Sequence, residues 1–203
     1  MLIMSICQTS PGRLKVVLED GSEIKSTLGA VTELRLYSGL DLEQEKLEQF
    51  RLLSTRFIAR ERALELISRR AMSRHELKKK LMDKGESEEV AEYCAGWLCE
   101  NRFIDDESYA AAVARHYAAK GYGAGRVQNE LYKRGIAREL WDSAIEAMPI
   151  NESKLERFIS SRLSDPSDRE QVRKLSAALF RRGYSWDEIR AALERHQAEI
   201  EDF

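Results

Sequence analysis

Three histidines and three cysteines are the side chains of this 203-residue chain that most often bind metals or act as nucleophiles. No two histidines have the His-x₃-His spacing of a metal site, and no two cysteines have Cys-x-x-Cys spacing. The six residues are His75, His116, His196, Cys7, Cys94 and Cys99. We therefore expect no metal, no cofactor and no disulfide framework, and a reducing compartment, the cytoplasm, is favoured.

Two motifs have some likeness to parts of a catalytic site. Asp105 and Asp106 are adjacent carboxylates, but acids are common at the start of a helix, where the helix dipole favours them. Residues 121–125, Gly-Tyr-Gly-Ala-Gly, resemble a phosphate loop, but they follow a predicted helix and the chain has no Gly-Lys-Ser/Thr. Contact between their amides and a DNA phosphate stays open. The sequence thus predicts no catalytic residues and a protein that is not an enzyme.

Charge is distributed unevenly along the chain. The net charge is −2, yet residues 51–84 hold eleven bases and four acids. A protein that neutralised phosphates along its whole length would be strongly basic throughout. We therefore expect either local contacts with nucleic acid or a protein partner. No apolar run is long enough to span a bilayer, and residues 1–8 lack the basic start of a secretory signal, so we expect no membrane contact.

A nine-residue pattern occurs three times, at residues 77–85, 127–135 and 175–183. Each copy has an aliphatic residue first, Leu fifth, a bulky apolar residue sixth, a base eighth and Gly ninth. Self-similarity at a period near 50 residues indicates tandem helical repeats. Such repeats usually bind partners along a surface.

The columns of this pattern predict how each copy folds. The first and fifth positions lie on one helix face, and we expect the sixth to widen that buried stripe. Gly ends the helix in the left-handed conformation, and the base either caps the helix or recognises a partner. The residues at the sixth position are Met82, Tyr132 and Phe180.

The elements that position these residues are predicted to be mainly helical. We expect three tandem three-helix repeats, solenoid-like, behind a small N-terminal antiparallel β-hairpin segment. Asp20-Gly21 is a favoured two-residue hairpin turn, and residues 33–37 could form a further strand. The predicted boundaries are 1–40 for the β-hairpin extension, 41–102 for repeat 1, 103–149 for repeat 2, and 150–203 for repeat 3 with a frayed tail at 199–203.

Capping residues predict where the helices begin. Ser73 and Ser185 each precede Glu by three residues, the capping-box pattern, and Asp41 is placed to cap the first long helix. That helix is either continuous or broken near residues 54–55. The residues expected in the core of the closing helices are Cys94, Trp97, Trp141 and Trp186.

Five segments, in this order and at this spacing, resemble the RecX family of regulatory proteins. The first is similar to that family's first repeat, the second to its link into the second repeat, and the rest to the continuation. The segments are residues 63–85, 103–110, 120–123, 130–131 and 135–136. The resemblance covers residues 60–150 well and residues 150–196 more loosely.

The resemblance implies a non-enzymatic role. RecX proteins bind the recombinase RecA in the groove of its filament on single-stranded DNA. They inhibit its ATP hydrolysis, its strand exchange and the coprotease activity that drives the SOS response, and so modulate DNA recombination and repair. The resemblance implies binding to the RecA filament. We expect a monomer, and the charge distribution favours contact with single-stranded DNA through local basic patches.

Basic residues are the candidates for filament or DNA contact, chosen by charge, predicted exposure and equivalence between repeats. They are Arg70, Arg74, Lys78, Lys79, Lys84, Arg126, Lys133, Arg134, Arg173, Lys174, Arg181 and Arg182.

Two other functions remain open. Short helices around a tight Gly turn also suit a helix-turn-helix-like DNA-binding transcription regulator. A helical adaptor for protein partners is the second. Sequence-specific footprints would favour the regulator, and preference for a nucleoprotein filament would favour the recombinase modulator.

Overall fold

The computed structural model describes residues 1–149 and 152–197. The chain forms two compact units, Met1–Ile104 and Asp105–Phe203. The mainly helical fold with a small antiparallel sheet at the N-terminus is confirmed. The frayed tail predicted at 199–203 lies outside the described residues.

The first unit begins with a three-stranded antiparallel sheet in the order β1-β2-β3. Its strands are β1 (Ile3–Ser10), β2 (Arg13–Leu18) and β3 (Glu23–Thr27). Alternate side chains such as Ile3, Val16 and Ile24 point into a core shared with the helices that follow. Because an isolated hairpin is marginal in water, this packing is what stabilises the sheet.

The further strand predicted at residues 33–37 is wrong. Thr27 ends β3 and also caps α1 (Leu28–Glu33), whose Ala30 amide donates to the Thr27 hydroxyl at 3.3 Å. Leu36 is buried with the sheet, and Arg35 before it has a φ of 51°. The alternating leucines of this segment thus line a turn that follows a helix.

The long helix α2 (Gln44–Arg69) is continuous through residues 54–55. Its first half packs on the sheet through Phe50, and its second half packs on the next two helices through Ala59 and Ala63. Ser54 is buried at mid-helix because its hydroxyl bonds to that of Ser26 at 2.8 Å. One helix therefore joins the sheet to the first helical repeat.

The cap predicted at Asp41 is wrong. Helix α2 begins after Glu43, and no side chain bonds to its first amides. Asp41 instead accepts a hydrogen bond from the amino group of Met1 at 2.7 Å. The chain start competes for this carboxylate, an interaction that local sequence does not reveal.

Helices α3 (Arg74–Asp83) and α4 (Glu88–Glu100) complete the first repeat. The capping box at Ser73 is confirmed, since its hydroxyl and the Glu76 carboxylate each accept from the other residue's amide. The first and fifth positions of the pattern, Leu77 and Leu81, are fully buried with Cys94. The helix ends as the pattern predicts.

The second unit contains the other two repeats. Its helices are α5 (Asp106–Ala119), α6 (Ala124–Lys133), a 3-10 turn (Arg138–Leu140), α7 (Trp141–Glu146), α8 (Glu152–Ser160), α9 (Arg169–Arg181) and α10 (Trp186–Glu194). Leu131 and Leu179 lie at the centres of two separate apolar clusters, one for each repeat. The capping box at Ser185 is confirmed. The pattern glycines Gly85, Gly135 and Gly183 have φ values of 93°, 63° and 88°.

A backbone junction joins the two repeats of this unit. The amides of Gly123 and Gly125 donate to the carbonyls of Arg182 and Gly183 at 3.0 and 2.9 Å. A Cβ on Gly123 would lie 2.4 Å from the Gly183 oxygen, so only glycine fits. These amides serve internal packing, and the DNA-phosphate role left open for residues 121–125 is wrong for them.

Candidate binding surface

Two of the side chains with reactive chemistry, Asp105 and Cys94, have structural roles. Asp105 caps α5, where its two oxygens accept from the amide and hydroxyl of Ser108 at 3.0 and 2.7 Å. Cys94 is fully buried, and burial raises the pKa of its thiol to about 11, which leaves it unreactive near neutral pH. Residues 1–149 and 152–197 contain no group of three or more His, Cys, Asp or Glu side chains placed to hold a metal.

Among the described helices, none combines the length and the apolar character needed to cross a bilayer.

Three of the candidate bases of the first unit form ion pairs. Arg70 pairs with Glu76 at 3.1 Å, and Arg74 pairs with Glu92 of α4. The ammonium of Lys78 lies 2.9 Å from Glu88 and 2.9 Å from Glu92. Hydrogen bonds with Glu92 and then Glu88 raise the pKa of Lys78. These ion pairs join α3 to α4 and also to the turn that precedes α3.

Lys79 and Lys84 differ from these three. Both are exposed, and neither forms an ion pair with any residue that the structure describes. Lys79 lies on the solvent side of α3, and Lys84 is the C-cap residue that follows it, beside the negative end of the helix dipole. They are the two candidate bases of repeat 1 that a partner could reach without breaking a described ion pair.

In repeat 2 the candidate bases converge on one acid. Glu130 is buried, and its carboxylate lies 3.1 Å from Arg126, 3.7 Å from Lys133 and 2.6 Å from Arg134. Arg134 also donates to the Glu130 carbonyl at 3.1 Å and so caps the end of α6. The base of the pattern therefore acts as a helix cap in this copy.

The charges of this cluster stabilise one another. Burial raises the pKa of the Glu130 carboxyl, but hydrogen bonds from Arg134 and Tyr117 and the arginine charges outweigh it, so the net pKa is lowered. Burial lowers the pKa of Arg134, but hydrogen bonds with Glu130 and Tyr109 raise it overall. Glu130 is thus ionised at neutral pH and offsets part of the positive charge of the three bases around it.

The candidate bases of repeat 3 differ in their contacts: one contacts repeat 2, one forms a surface ion pair, and two are exposed without a described ion pair. Arg182 donates to the Gly121 carbonyl at 3.2 Å, and its guanidinium lies 4.1 Å from the centre of the Phe158 ring. Lys174 pairs with Glu170 at 2.7 Å on the surface of α9. Arg173 and Arg181 are exposed, and the described residues offer them no ion pair.

Burial and pairing thus divide the twelve candidates. Exposed ion pairs contribute only about 0–1 kcal/mol, so the paired surface bases could exchange partners at small cost. The exposed candidates without a described ion pair would contact a partner without giving up an internal one. They are Lys79, Lys84, Arg173 and Arg181.

The sixth position of the pattern is exposed in every copy, and the prediction that it widens the buried stripe is wrong. Met82 is 41% exposed, Tyr132 75% and Phe180 53%. At about 100° per residue the sixth position lies roughly 120° from the middle of the stripe formed by the first and fifth positions. The helical wheel contained this signal.

Trp186 is also misassigned by the prediction that places it in the core. It is 47% exposed and stacks on Phe180, with ring centroids 5.3 Å apart and ring planes at 20°. Trp97 and Trp141 are partly buried against their repeats as predicted. Sequence reasoning identified neither the aromatic pair nor the role of Glu130.

Comparison with known protein families matches all three repeats. The model of the first three-helix domain of RecX matches residues 59–98, that of the second matches residues 105–145, and that of the third matches residues 160–193. The matches occur in chain order and together cover more than half of the chain.

Curated relatives point the same way. The chain is 36% identical over 135 residues to the regulatory protein RecX of Xanthomonas axonopodis pv. citri (strain 306), which covers 65% of this chain and 83% of that protein. It is 32% identical over 144 residues to the regulatory protein RecX of Pseudomonas putida (KT2440), which covers 68% and 90%.

Two solved structures have the same fold. A crystal structure titled regulatory protein RecX aligns with a TM-score of 0.77 and 21% identity over 96% of this chain and 98% of that one. The crystal structure of RecX from Lactobacillus salivarius aligns with a TM-score of 0.64 and 21% identity over 70% and 97%.

Proposed function

Because this chain belongs to the RecX family of regulatory proteins, we propose that it is a non-enzymatic regulator of the recombinase RecA. It binds RecA filaments on single-stranded DNA as a monomer in the cytoplasm. It inhibits their ATP hydrolysis, their strand exchange and their coprotease activity. Through these effects it modulates DNA recombination and repair and the SOS response.

The observation that carries the proposal is the match of three family domains to three consecutive repeats. The structural roles of two reactive side chains are consistent with a non-enzymatic protein. Asp105 serves as a helix cap, and the Cys94 thiol is buried and protonated. These two groups therefore contribute to the fold, as expected for a protein that acts by binding.

The exposed bases suggest how the protein binds. Lys79 and Lys84 in repeat 1 and Arg173 and Arg181 in repeat 3 are available to acidic side chains or phosphates of a nucleoprotein filament. Each contact is weak by itself, but contacts on one chain add through effective concentration. Attraction of this kind weakens as salt increases.

A hydrolysis assay tests the proposal. RecA is assembled on single-stranded DNA with ATP, and phosphate release is followed as the protein is added. We expect the rate to fall at amounts of the protein below one per recombinase subunit. A matched reaction receives the protein after heat denaturation, and its rate should stay constant. An unchanged rate with excess folded protein would contradict the proposal.

A further inference from the structure

An aromatic pair lies open to solvent in repeat 3. Phe180 occupies the last turn of α9, and Trp186 is the first residue of α10. The left-handed Gly183 and the Ser185 cap reverse the chain between them, so that the two rings meet face to face at 5.3 Å. The two rings stack on each other, and about half of each residue remains exposed.

Positive charge surrounds the pair on the side of α9. Residues 169–182 hold five bases and one acid in a chain whose net charge is −2. Arg173 lies two turns before Phe180 on the same helix face, since seven residues rotate the helix by about 700°, close to two full turns. Arg181 follows Phe180 directly and is exposed.

Acidic residues lie on the other side of the pair. Glu188 is occupied as the partner of Ser185 in the capping box, and Asp187 is exposed next to Trp186. Arg190 lies one turn after Trp186 along α10. The side-chain charges therefore favour an anionic chain along α9 over one beside Asp187 and Glu188 at the start of α10.

We propose that Phe180 and Trp186 form a stacking platform for an unpaired base of single-stranded nucleic acid, with the phosphates held by Arg173 and Arg181. A base continues the aromatic stack because every base has a flat π-face, and arginines beside the rings bind the phosphodiester chain. The inference rests on the proposed function, and it identifies repeat 3 as a direct contact with the strand that the filament carries.

The other two copies of the pattern lack this combination. Tyr132 has no second ring stacked on it among the described residues, and the bases nearest to it in sequence, Lys133 and Arg134, are held by Glu130. Met82 carries no ring. Among the three copies of the pattern, the platform is therefore assigned to the one in repeat 3.

Two strands separate stacking from charge. Binding of a fluorescent oligothymidylate and of an abasic strand of the same length is measured by anisotropy at low salt, with no recombinase present. The whole protein should bind the thymidylate strand more tightly, because the abasic strand has the phosphates without the bases. Phe180→Ala and Trp186→Ala should each weaken thymidylate binding about 5- to 100-fold and leave abasic binding unchanged.

Charge variants give the opposite pattern. Arg173→Glu with Arg181→Glu should weaken binding of both strands and lower the slope of log affinity against log salt, because fewer counterions are released. Phe180→Tyr keeps a flat ring and should retain the preference for thymidylate. Tyr132→Ala, the matched exposed ring of repeat 2, should bind both strands as the unaltered protein does.

The outcomes are distinguishable. Equal binding of the two strands by the unaltered protein, or unchanged thymidylate binding by both alanine variants, overturns the platform. Alanine variants that lose filament association and keep thymidylate binding also overturn it, because the pair would then contact protein. Circular dichroism and thermal unfolding check that the variants fold. The hydrolysis assay with unaltered protein tests the proposed function separately, since strand binding needs no recombinase.

Discussion

The surroundings of Glu130 change the role assigned to the bases of repeat 2. It lies buried within 4 Å of three cationic side chains, including the Arg134 that ends α6. A carboxylate in such a place stabilises the fold and removes bases from the set that a partner can reach. At the residue scale, the role of a base in the repeated pattern depends on its ion-pair partner and not on its position in the pattern.

Replacing Glu130 with Gln tests this role. The change keeps the side chain's size and leaves Arg126 and Arg134 without their counter-charge. We expect the free energy of unfolding at pH 7 to fall by about 1–3 kcal/mol, less than for a fully buried pair because the arginines retain contact with water. Urea unfolding of both proteins measures the difference, and Glu139→Gln, an exposed acid of the same repeat, is the control.

The pH dependence of this difference has a definite sign. The pKa of Glu130 is lowered in the folded protein. Its stabilising effect is therefore present above the pKa of the unfolded chain, about 4.3, and is lost as the pH falls through the lower folded value. The gap between the two proteins should narrow towards pH 3. A gap that stays constant over that range would contradict the assignment.

At the scale of elements, the start of α6 and the end of α9 are in direct backbone contact. Two amide-to-carbonyl hydrogen bonds join the Gly123 and Gly125 segment to residues 182 and 183. The Tyr184 hydroxyl donates to the Gly121 carbonyl at 3.2 Å and extends the junction. Glycines repeated in the sequence thus let one repeat approach the next at backbone distance.

A pair of glycine substitutions measures this contact. Gly123→Ala should lower the free energy of unfolding by about 1–3 kcal/mol, because the new Cβ meets the Gly183 carbonyl oxygen at 2.4 Å. Gly96→Ala in α4 is the control, since its Cβ would meet nothing within 4 Å. That control should stabilise α4 by about 0.5–1 kcal/mol. Equal effects of the two changes in denaturant unfolding would show that the junction tolerates a side chain.

At the scale of the whole molecule, the low net charge conceals basic helices whose side chains differ in whether an acidic residue already pairs with them. The chain totals −2, and most candidate bases have acidic partners. The exposed candidate bases without a described pair occur in both units, in α3, at its C-cap and in α9. This pattern suits local, salt-sensitive contacts better than a continuous nucleic-acid track.

Charge reversal tests the contribution of the exposed bases to filament binding. Lys79→Glu with Lys84→Glu, and separately Arg173→Glu with Arg181→Glu, should raise the protein concentration needed for half-inhibition of ATP hydrolysis about 5- to 30-fold, because each change turns attraction into repulsion.

The control has the same change in net charge at other exposed bases, Lys25→Glu with Arg51→Glu. If the control loses as much inhibition as the test pairs, net charge and not these positions governs binding. Inhibition that is unchanged in both test pairs would show that the wrong bases were chosen.

Local signals in the sequence were sufficient for much of the fold. The capping boxes at Ser73 and Ser185 and the helix-ending glycines act within a few residues, so their outcome could be read directly. Asp41 had the same kind of signal and was misread, because the Met1 amino group takes its carboxylate from 40 residues away. Local rules failed where a distant group competed for the same atoms.

The sequence by itself determined the three repeats, their buried Leu columns and their family, since these depend on periodicity and on residues close together in the chain. Tertiary structure alone decided which bases are available and where aromatic surface is open. Arg74 meets Glu92 across 18 residues, and Arg182 meets Gly121 across 61. Pairing and exposure depend on the packing of elements far apart in the chain, and a side chain's charge or apolar character does not specify its neighbour.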